Sequence, residues 1–317
     1  MKAYVYKKST TAPFVTLQEV TTPSPKDKQV LIRIQAVSLN AADYRSMQMG
    51  IIPKSGIYGS DISGTIVEVG PHVSLFSVGD EVFGDLSGVG FGGFAEYVVA
   101  DETVIIKKPE SISFEQAAAL PMASVTALQA LHKIPGTVEG KNIMILGSSG
   151  GVGTYLLQLA HVEKAQVTTV CSGKNVSLMN QLGATHTIDY TKDTLDIFGS
   201  DYDQIFAVHG SQSLSSLRKL LKPGGSIIVV GGSVSRLMKA LVLAPVFSLT
   251  KKTVQTLAAK PVLKDLLFVT TLVEQGLIQP YIEATYLFSE LPHALELCRG
   301  GHAKGKLVIT MNELNRE

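Results

Sequence analysis

The run IMILGSSGGVGT at 143–154 places Gly147, Gly150 and Gly153 at three-residue intervals, after an apolar, strand-like segment and before a stretch with helical apolar spacing. A dinucleotide pyrophosphate needs this order. The chain must turn tightly out of a strand, approach the phosphates without a Cβ in the way, and pack a helix so that its N-terminus faces the negative charge. Gly147, Ser149, Gly150, Gly151, Val152 and Gly153 are therefore the candidate phosphate-binding residues. The alternative is a strand-to-helix turn without a ligand, and the motif alone is weak; the βαβ pattern that follows favours the cofactor. Preference for NAD usually shows as an acid about 20 residues further on, for the ribose 2′-hydroxyl. No acid stands between Lys164 and Asp189; the strand-like QVTTV leads instead into CSGKN. The Ser172 hydroxyl and the Lys174 ammonium suit a 2′-phosphate, which predicts NADPH. The alternative for Lys174 is a solvated lysine at a helix start.

Two kinds of element must position these residues. Residues 1–120 carry short runs such as VLIRIQAVSL, SGTIVEVG and FAEYVVA between Gly, Pro and Asp turns, the pattern of a mostly antiparallel β domain. Over 121–259 strands alternate with helices: NIMIL, a helix over 151–163, QVTTV, a helix over 175–182, THTI, YDQIFAV, a helix over 213–221, and SIIVV. That alternation predicts an α/β fold with a doubly wound parallel sheet. The tail, 260–317, returns to strand and short helix, and a final strand KLVI closing onto the first domain would make that domain discontinuous.

Composition sets the remaining bounds. The 317 residues are 45% hydrophobic, enough for two cores, and 28 basic against 27 acidic side chains leave no overall field for nucleic acid or an anionic membrane. Small-molecule partners fit better. The first residues lack the apolar core of a signal peptide, and Leu237–Leu249, interrupted by Lys239, is too short to span a bilayer. A cytoplasmic protein with no stable membrane insertion is expected. Cys171 and Cys298 form no CxxC pair and read as reduced thiols.

Collinear motifs then extend the reading across nearly the whole chain: VSLNAADYRSMQMG at 37–50, GSDISGTIVEVG at 59–70, VGDEVFG at 78–84, GGFAEYVVA at 92–100, AAALPMASVTALQAL at 117–131, GSSGGVGT at 147–154, LGATHTIDY at 182–190, LKPGGSIIVVGG at 221–232 and GKLVI at 305–309. The chain resembles the zinc-independent medium-chain dehydrogenase/reductases of the quinone oxidoreductase type. The resemblance implies a GroES-like catalytic domain, a Rossmann cofactor domain and a homodimer. The zinc enzymes of that superfamily take catalytic ligands from a Cys early in the first domain and a Gly-His-Glu run soon after; here Asn40 and Ser60 stand in those places, and no Cys precedes residue 171. Catalytic zinc needs about three protein ligands, so no metal site is expected.

Without a Lewis acid the substrate must spread the incoming charge itself, which suits quinones and α,β-unsaturated carbonyls. By resemblance, Asn40, Asp43, Tyr44 and Tyr58 would line the nicotinamide end of the site, with Tyr58 as the phenol near the substrate oxygen and Asn40 holding nicotinamide or substrate by its amide. Packing is the alternative for both tyrosines. Thr126 would reach the nicotinamide and Tyr190 the adenosine phosphate, while Gly210, Gly231 and Gly232 follow strands at their ligand-binding ends. Two other function classes stay open: a non-catalytic NADPH-binding redox sensor or structural protein, and an interaction module built on 233–260, whose apolar half reads as a cleft wall or dimer contact in preference to a membrane-surface helix.

Overall fold

The computed structural model describes residues 1–7, 14–231, 234–249, 251–301 and 303–311. The backbone forms two compact units: Met1–Val125 with Pro261–Glu274 and Pro280–Glu317, and Thr126–Lys260 with Gln275–Gln279.

The first unit begins with the antiparallel pair β1 (Lys2–Tyr6) and β2 (Val15–Glu19). Strand β3 (Gln29–Ser38) is apolar along most of its length because it is central, with β4 (Asp61–Val69) and β6 (Tyr97–Asp101) both paired to it. Between β3 and β4 lies α1 (Ala41–Met49). It starts from extended backbone at Asn40 and stops at Gly50, whose φ of 67° is the left-handed conformation that ends helices. Strands β5 (Glu81–Asp85) and β7 (Ile105–Lys107) extend the sheet, and α2 (Phe114–Ala118) and α3 (Pro121–Leu131) follow.

The boundary between units falls inside α3, five residues beyond the expected 120. The reason is local: the Met122 N–H donates to the Asp61 carboxylate at 3.1 and 3.2 Å, which ties the start of the helix to β4.

The second unit runs β8 (Asn142–Leu146), α4 (Gly151–Val162), β9 (Gln166–Cys171), α5 (Val176–Gln181), β10 (His186–Asp189), β11 (Tyr202–Ala207), α6 (Leu214–Leu220), β12 (Leu221–Val229), α7 (Val234–Ser248) and β13 (Thr253–Thr256). All pairs are parallel, in the order β10-β9-β8-β11-β12-β13. This is the doubly wound arrangement in which the strand order reverses beside the first strand, between β8 and β11. Met144, Leu146, Ile205, Ala207, Ile227 and Val229 share one core with Leu214 and Leu217 of α6. The alternating pattern of the sequence predicts this sheet, but not β13, a four-residue polar edge strand inside 233–260. Within α7, Ala240 and Phe247 are buried while Met238 and Val242 are exposed. Residues 275–279 join this unit because Gln279 and Gln158 exchange two hydrogen bonds, of 2.9 and 3.1 Å.

The chain then returns to the first unit with α8 (Leu263–Glu274), β14 (Ile282–Leu287), α9 (Leu291–Gly300) and β15 (Lys306–Thr310). Strand β15 pairs antiparallel with β3 and parallel with β14, so the expected closure of KLVI onto the first domain is observed.

Candidate active site

In the second unit the glycines have separate geometric jobs. Gly147 has a φ of 74°, and a Cβ on it would press on the His209 backbone nitrogen at 2.8 Å. The turns after β8 and β11 are therefore in contact at the switch point, where the His209 N–H also donates to the Leu146 carbonyl at 3.2 Å. A Cβ on Gly153 would drive into the Gly147 carbonyl and Ser148, so this glycine allows the helix to close on its turn. Gly150, the residue before α4, is different: a Cβ there meets only the Gly147 oxygen, at 3.6 Å. Gly151, Val152 and Gly153 form the first turn of α4, where N–H groups have no carbonyl one turn earlier. Open space at Gly150 beside N–H donors that no described residue pairs is a cradle that fits a pyrophosphate. Ser148 is buried and donates to the Val170 carbonyl at 3.2 Å, which leaves half-exposed Ser149 as the serine available to a ligand. Gly210, φ 138°, follows β11, and Gly231 follows β12; Gly232 lies outside the described residues.

At the far end of β9, Ser172 is half-buried and accepts from the Asn175 amide at 3.3 Å, while Lys174 is exposed and makes no ion pair among the described residues. The sheet register sets Asp189 opposite Cys171, and a Cβ on Gly173 would strike the Asp189 carboxylate. An acid missing from the local sequence thus reaches this corner from the next strand. The Thr191 hydroxyl and N–H, at 2.7 and 3.1 Å, hold Asp189 below the usual carboxylate range, and Lys192 stands 3.9 Å away. Tyr190 is half-exposed beside it, and burial, then Asp189, pushes the Cys171 thiol up to about 11.

In the first unit, Asn40, Asp43, Ser60, Asp61 and Lys306 form one buried polar cluster. Asn40 Oδ1 accepts from the Lys306 ammonium at 2.5 Å; its Nδ2 donates to Asp61 at 2.9 Å and to Ser60 at 3.2 Å. Asp43 accepts from the Asn40 N–H at 2.8 Å and from the Ser60 hydroxyl at 3.4 Å. Burial pushes Asp43 up to about 7 and Asp61 up to about 8; Lys306 pulls both down and Asp85 pushes both up. Tyr58 is fully buried, its hydroxyl donating to the Ile51 carbonyl at 2.9 Å and its ring packed on Tyr6 and Phe91. Tyr44 is half-buried on α1, and no described residue bonds its hydroxyl; the Arg45 guanidinium lies 5.8 Å from its ring centroid. Thr126, on α3 in the second unit, is 9% exposed.

Residues 26–110 match the profile of the alcohol dehydrogenase GroES-like domain, and residues 182–309 that of the zinc-binding dehydrogenases. The chloroplast envelope quinone oxidoreductase homolog of Arabidopsis thaliana is 33% identical over 306 residues, 92% of each chain. The chain belongs to the medium-chain dehydrogenase/reductase family. The NADPH-dependent alkenal/one oxidoreductase of the same plant is 31% identical over 98% of this chain and 79% of that protein. Among solved structures, the quinone oxidoreductase from Coxiella burnetii superposes with a TM-score of 0.87 at 28% identity, covering 98% of this chain and 99% of that one.

For a medium-chain dehydrogenase/reductase with a zinc-binding profile, the donor set is decisive. At Asn40 and Ser60 the structure places an amide and a hydroxyl bonded to each other, with a lysine ammonium on the amide oxygen, and among the described residues no three His, Cys, Asp or Glu side chains group around a common point. These residues do not fit zinc. The same geometry gives three residues expected at the site a bond within the protein. Asn40, expected to hold nicotinamide or substrate by its amide, has both ends of that amide bonded within the protein. Asp43, expected at the cofactor, has no exposed surface and serves the start of α1. Tyr58, expected at the substrate oxygen, donates its hydroxyl hydrogen bond to the Ile51 carbonyl. The sequence reading also passed over Lys306, although a lysine at the head of the core strand KLVIT is itself a signal of a buried, partnered charge.

Proposed function

We propose that the chain reduces quinones, or the C=C bond of α,β-unsaturated carbonyls, with NADPH as hydride donor and without a metal. The observation that carries this reading is the cation of the buried cluster: Lys306 holds Asn40, the residue that by resemblance stands where the zinc enzymes have a metal ligand. An ammonium buried at 3% exposure and already bonded to protein oxygens cannot polarise a substrate carbonyl as a Lewis acid does. A substrate that delocalises negative charge onto its own oxygen needs only a hydrogen bond there.

When bound, NADPH supplies the hydride. The chain's part is to bind and orient. The open face at Gly150 and the N–H groups of Gly151, Val152 and Gly153 hold the pyrophosphate; Ser172 and Lys174 hold the 2′-phosphate, with Lys192 offsetting the charge of Asp189. Tyr44, whose hydroxyl no described residue bonds, is the donor to the substrate oxygen, the role the sequence assigns to Tyr58. The relatives named as quinone and alkenal/one oxidoreductases support this substrate class. A cytoplasmic homodimer, the expectation from the sequence, is carried here as part of the proposal and is tested by fractionation and light scattering. NADPH oxidation across a panel of quinones, enones and saturated ketones tests the reaction.

A further inference from the structure

Lys306 opens a strand in which every residue is buried. An ammonium taken out of water is costly unless oxygens surround it. Here Asn40 Oδ1 lies at 2.5 Å, the Leu39 carbonyl at 3.2 Å and Asp61 Oδ2 at 3.6 Å. Those oxygens come from the β3–α1 corner and from β4, so one charge joins β15 to both. Asn40 passes the restraint on. With Oδ1 held by the ammonium, Nδ2 must face Asp61 and Ser60, and the Asn40 backbone N–H is gripped by Asp43 in the first turn of α1.

We propose that Lys306 is the resident cation of this buried cluster and a positioning residue for the reduction: through its bond to Asn40 it fixes the start of α1, and with it Tyr44. This rests on the reading of Tyr44 as donor. Charge balance alone would ask only that some cation neutralise Asp61. Positioning asks for an ammonium on Asn40 Oδ1.

A double variant separates the two roles. Lys306→Met alone removes the cation and leaves Asp61 buried, so the informative comparison is Lys306→Met/Asp61→Asn, which removes both members of the pair, against Asp61→Asn, in which Lys306 keeps the Asn40 and Leu39 oxygens but loses its carboxylate. Relative to Asp61→Asn, the double variant should lose about tenfold or more in kcat while KM for NADPH stays within about twofold, because the second unit is untouched. In the chain without cofactor, amide exchange over 41–47 should also quicken, by about tenfold. A double variant matching Asp61→Asn in either kcat or exchange overturns the proposal and leaves Lys306 as a neutralising charge. The exchange measurement needs no substrate. A parent protein that reduces neither quinones nor enones would remove the proposed function, and exchange would still decide whether Lys306 sets α1.

Discussion

The Tyr58 hydroxyl donates to the Ile51 carbonyl at 2.9 Å, from a ring with no exposed surface. That bond closes residues 51–58 into a loop whose floor is Tyr58, and it gives the phenol a structural use. Burial pushes its hydroxyl up to about 12, with Tyr6 adding to the effect, so it remains a neutral donor. Tyr58→Phe should therefore cost about 0.5–1.5 kcal/mol of stability, the net worth of one hydrogen bond, and leave kcat within about threefold. Tyr44→Phe should do the reverse, lowering kcat about 10- to 100-fold at nearly constant thermal midpoint. Steady-state kinetics and thermal melts on both variants decide; a larger kcat loss in Tyr58→Phe returns the donor role to Tyr58.

Cofactor preference turns on the corner shared by Ser172, Lys174 and Asp189. Lys174→Ala should weaken NADPH about 10- to 100-fold, the loss of a charged hydrogen bond of about 1.5–3 kcal/mol, and barely change NADH. Fluorescence titration of both nucleotides reads this directly. Equal affinity of the parent for the two would mean that the negative charge of Asp189 outweighs the lysine.

The glycines of the turn are separable by their surroundings. Gly153→Ala forces a methyl into the Gly147 carbonyl and should cost about 1–3 kcal/mol of stability. Gly150→Ala has room for its methyl in the protein but places it where phosphate must approach, so its melting point should hold while NADPH binding falls by about tenfold or more. Equal nucleotide affinity in Gly150→Ala and the parent would remove the pyrophosphate from this turn.

Much of this was legible in the sequence because periodicity reports burial. NIMIL, QVTTV and the helix after 150 were readable as a βαβ unit since both strands are buried along nearly their whole length and read as short runs of apolar and β-branched residues. The glycine spacing located the switch point for the same reason. What sequence could not show is which polar group meets which. Asn40 and Asp43 stand where a ligand site is expected, yet their partner Lys306 lies more than 260 residues away and enters through the pairing of β15 with β3. Asp189 likewise reaches the cofactor corner only through the register of β10 on β9. Strand β13, four residues at a sheet edge, carries too little apolar pattern to stand out beside α7.

The buried carboxylates give the fold an unusual pH response. Burial, the largest cause, pushes Asp61 up to about 8 and Asp43 up to about 7, well above the ordinary carboxyl range, because it disfavours the charged form. A group raised on folding binds its proton more tightly in the native state, so its contribution is complete below about pH 4 and is lost as pH rises through about 8. Thermal midpoints should fall between those limits, and Asp61→Asn should flatten part of that slope. A parent protein whose stability rises over the same range would show that Lys306 keeps both carboxylates ionised.

The reaction itself decides most directly whether the chain reduces quinones or enones without a metal. With NADPH and purified protein dialysed against a strong chelator, ortho- or para-quinones or conjugated enones should turn over, with the saturated ketone as the enone product and no reaction of simple ketones or secondary alcohols. Robust oxidation of a secondary alcohol, lost on chelation and restored by zinc, with no turnover of quinone or enone, would contradict it.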